Sequence, residues 1–465
     1  FVLKCLILYF YYLLKVMTMN ETIVALSTPP GIAGLAVVRL SGPDAIRIAD
    51  SCFEGRAPLS EVASHTIHFG KFTHGGHVID TVTMSVFIAP HSYTGENVVE
   101  ISCHGGSFVY TSVIDALCAC GAVLAKPGEF TRRAFVNGKL GLLEVEAVAD
   151  IIHCASVPGA ETSARQLSGG LSARLSDIRK KLIEVSSLLE LELDFADEDL
   201  EFADKSSLIK LLDSSETMAR QLADAHRSSE ILRAGYYVGI AGFPNSGKST
   251  LFNALLGRER AIVNERPGTT RDYIEESLII EGMTIHITDT AGIRETEDSI
   301  EIEGIRFVDS IVSMANLVLV VNDASISPHH SNDLFLKLKE KYSGKNIILV
   351  QNKTDISGHF EPRYSICVSA KSGAGIDELK HFISAQAKEE TKIESDLLVN
   401  QRHAYLLSSA SEALKCAKEA LSAGAENYLV SIDIRKAAEI FGEITGENWS
   451  EEVLNSIFSG FCIGK

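Results

Sequence analysis

The 465-residue sequence predicts a multidomain fold of the α/β plus α class. It comprises an α+β N-terminal domain, a helical-bundle domain, and an α/β domain with a phosphate-binding loop inserted into that bundle. Three observations predict it. Residues 19–137 mix short β-like runs with glycine punctuation. Residues 171–189 carry an apolar stripe at helical spacing. Near residue 240 a strand candidate runs into a glycine-bearing loop and a helix, and more strand candidates alternate with helices beyond it. A chain this long exceeds one ordinary core, so two to four domains are expected.

Residues 1–18 stand apart. Phe1 to Val16 is almost wholly apolar, broken by Lys4 and Lys15. A membrane span needs ~20 apolar residues, and no small-residue cleavage site follows. We favour sequence upstream of a true start at Met17 or Met19; the other reading is a hydrophobic anchor or targeting segment. In 19–137, Ile23 to Leu26, Leu35 to Val38 and Val82 to Ile88 are strand candidates, and Ser107 to Cys120 reads as a helix. In 138–233, Leu171, Leu175, Ile178, Leu182, Val185 and Leu189 fall on one helix face, most simply a bundle core; a coiled-coil seam is the second reading. Asp194 to Asp204 reads as an acidic loop or helix start. In 234–388, Tyr237 to Ala241, Ile285 to Thr288, Leu317 to Val321, Ile347 to Val350 and Ser365 to Val368 are buried-strand candidates, and Lys248 to Leu256 is a helix. They imply a parallel sheet with helices on both faces. Residues 389–465 read as helical, completing the bundle.

Composition limits the function classes. With 46% hydrophobic and 22% charged residues the chain is of globular type. Nine cysteines without a pairing pattern suggest a reducing compartment. Cys118-Ala-Cys120 lacks a partner pair, and His74-Gly-Gly-His77 and Cys103-His104 lack a second ligand pair at a plausible spacing, which argues against zinc. A net charge of -18 argues against non-specific wrapping of nucleic acid, so any RNA contact must use a local basic patch or a partner's surface.

The chemistry concentrates in the inserted domain. Gly242-Phe-Pro-Asn245-Ser246-Gly247-Lys248-Ser249-Thr250 is a phosphate-binding loop. Glycines let backbone N–H groups face phosphate oxygens without a Cβ in the way, and the following helix dipole favours the anion. Lys248 should reach the β- and γ-phosphates and Ser249 should ligate Mg²⁺. In Asp289-Thr290-Ala291-Gly292, Asp289 belongs near the metal and Gly292 donates to the γ-phosphate. In Asn352-Lys353-Thr354-Asp355, Asn352 and Asp355 grip the base. In Ser369-Ala370-Lys371, the Ala370 N–H faces guanine O6. A carboxylate at 355 accepts from guanine N1 and N2, for which adenine has no matching donor pair, so GTP is the expected nucleotide. This is a P-loop GTPase domain of the Ras-like type with one departure: Ile293 follows the Asp-x-x-Gly stretch where Ras-like enzymes carry a glutamine that orients water.

Taken together the residues resemble the MnmE (TrmE) family of bacterial tRNA-modification GTPases, from about Asn20 to Lys465. The signatures are Pro29-Pro30-Gly31, Val38-Arg39-Leu40-Ser41-Gly42, Tyr93 to Glu100, the phosphate loop, Gly268-Thr269-Thr270-Arg271-Asp272 and the terminal Phe461-Cys462-Ile463-Gly464-Lys465. The resemblance implies a cytoplasmic homodimer, without membrane attachment, whose N-terminal folate-binding, dimerisation domain holds 5,10-methylene- or 5-formyl-tetrahydrofolate. Arg39, Glu100, Lys139 and Lys465 match folate contacts, and Cys462 matches a C-terminal cysteine that is either reactive or inert. It implies K⁺ activation, with Asn245, Asn264, Arg266 and Thr269 around the ion and the segment Asn264-Glu265-Arg266-Pro267-Gly268-Thr269-Thr270 wrapping it. Thr270 would join Ser249 on Mg²⁺, and Glu301 would orient the attacking water in place of the missing glutamine. With the flavin-dependent partner MnmG (GidA), in a heterotetramer or larger complex, the chain would install an aminomethyl or carboxymethylaminomethyl group at C5 of the wobble uridine of certain tRNAs. An Era- or Der-type ribosome-assembly GTPase is the alternative, but needs a KH-like module or a second GTPase domain that is not evident; a folate-dependent aminomethyltransferase leaves the inserted domain unexplained.

Overall fold

The computed structural model describes residues 21–194, 205–257, 274–289, 309, 311–325, 329–356, 364–392 and 398–465. Residues 1–18, read above as a leader, the acidic stretch beyond Asp194, the segment 264–270 expected to wrap K⁺, residues 290–293 and Glu301 lie outside them. The chain divides into two compact units. One takes residues up to 149 with 167–184 and 438–465; the other takes 150–166 and 185–437.

The first unit is built on seven strands: β1 Ile23–Leu26, β2 Ala33–Ser41, β3 Phe53–Gly55, β4 Thr66–His74, β5 His77–Phe87, β6 Val98–Gly105 and β7 Val123–Leu124. Their order is β3-β4-β5-β6-β2-β1-β7, antiparallel throughout except for the parallel β1–β7 pair. Period two puts Val82, Met84 and Val86 of β5 on the buried face. There they join Ile48 and Ala49 of helix Ala45–Asp50, and Val113 and Leu117 of helix Ser107–Ala119. Gly75 (φ 59°) and Gly76 (φ 80°) form the two-residue turn between β4 and β5, whose twist requires positive φ at both positions. The C-terminal residues Leu454, Phe458 and Phe461 pack on Leu142, Val145 and Val148 in a second apolar cluster.

The second unit holds six strands: β8 Tyr236–Ala241, β9 Ile274–Ile280, β10 Met283–Asp289, β11 Leu317–Asp323, β12 Asn346–Asn352 and β13 Ile366–Cys367. Their order is β13-β12-β11-β8-β10-β9. The expected parallel sheet holds for β8 and β10 to β13, but the edge strand β9 is antiparallel to β10. A tight turn at Glu281 and Gly282 explains this, because two residues can reverse a strand but cannot carry a parallel crossover. Buried on both faces, β11 reads as a continuous apolar run. Its Leu317, Leu319 and Val321 meet helices Lys248–Leu256 and Ile376–Glu390. Val318 and Val320 meet Val312 and Leu338 on the other face. In the same unit helix Lys205–Asp224 packs along Gln401–Ser422, whose start is capped by Asn400 accepting from the His403 N–H at 2.8 Å.

Helix Gly170–Asp194 carries the predicted stripe, with Leu171, Leu175, Leu182 and Leu189 buried. Among the described residues no helix is long and apolar enough to cross a membrane.

Candidate functional site

The parallel strands β8, β10, β11, β12 and β13 point one way, so their C-terminal ends share one edge of the sheet. The chain reverses its direction of strand addition at β8, with β10 on one side and β11 on the other. Such a switch point opens a crevice in doubly wound sheets. Every described part of the predicted nucleotide site leaves this edge: Gly242 to Thr250 after β8, Asp289 at the end of β10, Asn352 to Asp355 after β12, and Ser369 to Lys371 after β13.

Backbone geometry explains the loop's glycines. Gly242 has φ 151°, and a Cβ there would lie 2.6 Å from the Val321 carbonyl oxygen and 3.0 Å from Ser246 Oγ. At Gly247 (φ 90°) a Cβ would lie 2.3 Å from Asn352 Nδ2. Asn245 sits in the left-handed region at φ 61° with its side chain exposed, as are Ser249 and Thr250. Lys248 Nζ donates to the Gly242 and Phe243 carbonyls, each at 3.0 Å. Burial, partly offset by the Asp289 carboxylate, pulls its ammonium below the ordinary lysine value. Ser246 Oγ is buried and has no hydrogen-bond partner among the described residues.

The segments expected to read the base brace the loop. Asn352, 1% exposed, donates from Nδ2 to the Ser246 carbonyl at 3.0 Å and accepts the Ala370 N–H on Oδ1 at 3.0 Å. The Ala370 N–H expected to face guanine O6 is thus engaged with Asn352. Lys353 Nζ donates to the Asn245 carbonyl at 2.8 Å and to Asp323 Oδ2 at 2.6 Å. Burial acts to raise the Asp323 carboxyl, but Lys353 and Ser325 outweigh it and hold it below the usual range. Asp355 is held low by the Ser369 hydroxyl, which donates to it at 2.6 Å.

In the other unit, Arg39 on β2 and Glu100 on β6 are direct cross-strand partners. Arg39 Nε donates to Glu100 Oε1 at 2.9 Å, and its Nη2 lies 2.8 Å from the same oxygen. The guanidinium lies over the rings of Tyr93 and Phe130, 5.4 and 5.7 Å from their centroids. The C-terminal tail closes over it. Arg39 also donates to the Gly464 carbonyl at 3.4 Å, Ser27 Oγ donates to the same oxygen at 3.2 Å, and the Phe130 N–H donates to the Lys465 carbonyl at 3.2 Å. Burial first, then Arg39, lower the Lys465 ammonium against the opposing pull of Glu100. Lys139 is exposed and donates to the Pro90 carbonyl at 3.0 Å, and Cys462 is exposed. The two N-terminal signatures interlock a second time: Ser41 Oγ lies 2.7 Å from Thr94 Oγ1 and donates to Glu96 at 2.7 Å. Arg133, 3% exposed, holds Glu96 at 3.0 Å and Glu129 at 3.2 Å.

A family model described as the MnmE helical domain matches residues 142–462, and one described as GTP-binding protein TrmE N-terminus matches 22–139. The chain belongs to the MnmE family of tRNA modification GTPases. The tRNA modification GTPase MnmE of Salinibacter ruber is 43% identical over 462 residues, covering 97% of this chain and 100% of that protein. The MnmE of Christiangramia forsetii is 40% identical over 474 residues, with 97% and 100% covered. Among solved structures, the G domain of the T. maritima FeoB iron transporter is 28% identical over 33% of this chain and 98% of its own, with a TM-score of 0.26, too low to weigh in the assignment.

Within the MnmE frame, the structure brings together the described loop residues 245–250, Asp289, 352–355 and 369–371, and separately Arg39, Glu100 and the 464–465 tail. Asn264 to Thr270, Thr290 to Gly292 and Glu301 lie outside the described residues. Sequence reasoning missed Ser41, Thr94, Glu96 and Arg133 as a network. The signal was present, since Ser41, Thr94 and Glu96 lie in the two signatures quoted, but pairing across strands is not visible in a linear string. It also missed Asp323, the buried anchor of Lys353.

Proposed function

We propose that this chain is a K⁺-activated GTP hydrolase. Its cycle governs one-carbon chemistry on tRNA in a homodimer, within the cytoplasm and together with MnmG (GidA). The observation that carries the nucleotide reading is the meeting of the described parts of four motif segments at one edge of the sheet, braced by Asn352 and Lys353. Their residues fit a guanine nucleotide. Gly242 and Gly247 leave a cradle a Cβ would fill, Ser246 offers a buried hydroxyl with no partner among the described residues, and Lys248 is a desolvated cation over the loop. Lys248 binds and orients the phosphates there, and Asp355 accepts from the guanine edge.

Ser249 and Thr270, with Asp289, would hold Mg²⁺, which would neutralise phosphate charge. Asn245, Asn264, Arg266 and Thr269 would hold K⁺, which would supply the positive charge an arginine finger provides elsewhere. Glu301 orients the attacking water.

The N-terminal unit is the folate-holding module. Arg39, Glu100, Lys139 and Lys465 suit a ligand with a polar pterin and a carboxylate tail. Arg39 is already stacked and paired, so it is oriented before any ligand arrives. The partner supplies flavin and nicotinamide chemistry, and Cys462 stands by the tail as a candidate thiol. The segments are leader 1–18, folate domain 19–137, helical domain 138–233 and 389–465, and GTPase domain 234–388.

Turnover of GTP and of ATP, each in K⁺ and in Na⁺, tests this reading. Strong stimulation of GTP turnover by K⁺ is expected. Equal GTP rates in both salts overturn the K⁺ assignment, and equal use of ATP overturns the guanine assignment.

A further inference from the structure

The first unit holds a cluster that the nucleotide and folate readings leave unused. Cys52, at the end of helix Ala45–Asp50, His74, at the end of β4, and Cys120, after helix Ser107–Ala119, bring Sγ, a ring nitrogen and Sγ within 4.8 Å of one another. The two sulfurs are 3.5 Å apart. A disulfide requires about 2.05 Å. Two thiolates on one tetrahedral zinc, each at about 2.3 Å, lie about 3.8 Å apart.

We propose that Cys52, His74 and Cys120 form a zinc site, with the fourth position open to water. Two thiolates and one imidazole are a borderline-soft donor set that favours Zn²⁺ over Mg²⁺ or Ca²⁺. Two of the three sequence patterns dismissed as metal sites contribute one ligand each: His74 from His-Gly-Gly-His and Cys120 from Cys-Ala-Cys. The remaining ligand, Cys52, has no pattern of its own.

His74 ends a strand, and Cys52 and Cys120 lie in the turns that directly follow two helices. The turn at Gly75 and Gly76 fixes the strand end that carries His74. The Thr73 N–H donates to the Cys52 carbonyl at 2.8 Å, and the Cys120 N–H donates to the Ala116 carbonyl at 3.1 Å. Cys52 is buried, Cys120 half-buried and His74 exposed, so an ion can enter from the His74 side. Binding releases the two thiol protons and leaves a complex with no net charge. The ion would clasp the β4–β5 hairpin to the ends of two helices.

The full-length protein, reduced and stripped with a chelator, is titrated with Zn²⁺ against a chromophoric competitor. Co²⁺ is then used to read tetrahedral d–d bands and thiolate charge transfer. The wild type should bind one equivalent more than Cys52→Ser/Cys120→Ser, with both cobalt signatures. His74→Ala, which removes an exposed side chain and spares the core, should weaken binding by more than the roughly 10- to 100-fold that loss of an outer-shell partner costs. Cys416→Ser, an exposed thiol elsewhere, should match the wild type. The proposal is overturned if His74→Ala or the double variant binds like the wild type. It is also overturned if the non-reduced protein, treated with Zn²⁺, contains a Cys52–Cys120 disulfide.

Discussion

In the six-stranded sheet, the loops of the candidate nucleotide site leave β8, β10, β12 and β13 one after another, each as a contiguous sequence motif. In the seven-stranded sheet, the Arg39–Glu100 pair is made across β2 and β6 and covered by Gly464, 425 residues further along. Parallel strands deliver successive loops to one edge, so order in the chain becomes neighbourhood in space. Antiparallel pairing and a docked tail join residues whose separation in sequence carries no meaning. The first site is written locally; the second exists only when distant segments meet.

If that contrast is right, a single Cβ should damage each site without touching the other. The largest effect is expected for Gly247→Ala, where the added carbon meets Asn352 Nδ2 at 2.3 Å and the backbone stays at φ 90°. Strain on the order of 2–3 kcal/mol predicts roughly a 30- to 150-fold loss of GTP affinity, with tetrahydrofolate affinity unchanged. Calorimetric titration of both ligands checks it; parallel losses would break the contrast.

Gly464→Ala is the reciprocal case. At φ 97° its Cβ would lie 2.1 Å from the Leu26 carbonyl oxygen, so the tail must lift from β1. Roughly a 10-fold drop in tetrahydrofolate affinity is expected, with GTP affinity retained. An intact folate site in this variant would show that the tail merely rests there. Arg39→Lys is milder. It keeps the charge but loses the paired donors to Glu100 and the stacking on Tyr93 and Phe130. A several-fold loss is expected, on the order of 1 kcal/mol, and a lysine that binds as well would reduce the site to a point charge.

The smallest effect lies at the other end of the nucleotide sheet. Lys388 first, then His381 and Ser384, hold the Glu281 carboxyl down at about 2, from an ordinary 4.5. A carboxyl held low in the fold contributes stability above its unfolded value and loses it as pH falls through the folded one. Wild type should therefore exceed Glu281→Gln in Tm at neutral pH, and the gap should narrow from about pH 4.5 towards pH 2. Because this turn precedes β10 while the loops follow it, GTP affinity should not change. A pH-independent gap would sink the electrostatic account.

Legibility followed the range of the interaction. β1 and helix Lys248–Leu256 stand where hydrophobic runs and the loop pattern put them. β13 shrank to Ile366–Cys367, since an edge strand of two residues pairs only briefly with β12. β3, β4, β6, β7 and β9 were passed over. β4 alternates exposed Ile67 and Phe69 with buried Gly70 and Phe72, so its apolar pattern does not mark the core face. Among the site residues, Lys248 and Asp355 could be assigned because a short motif specifies their chemistry. The dual role of Asn352, anchored to both Ser246 and Ala370, could not be, because it depends on β12 lying beside the loop.

By itself the sequence determined the family, the guanine-reading motifs, the glycines the loop demands and the stripe that became helix Gly170–Asp194. These rest on residue identity and on spacing within a few turns, where covalent geometry limits the outcomes. Tertiary structure alone decided that Arg39 faces Glu100 beneath the C-terminal tail, that Arg133 is buried among carboxylates, and that Cys52, His74 and Cys120 converge. Each of those meetings is a through-space contact between segments whose separation along the chain leaves no periodic trace.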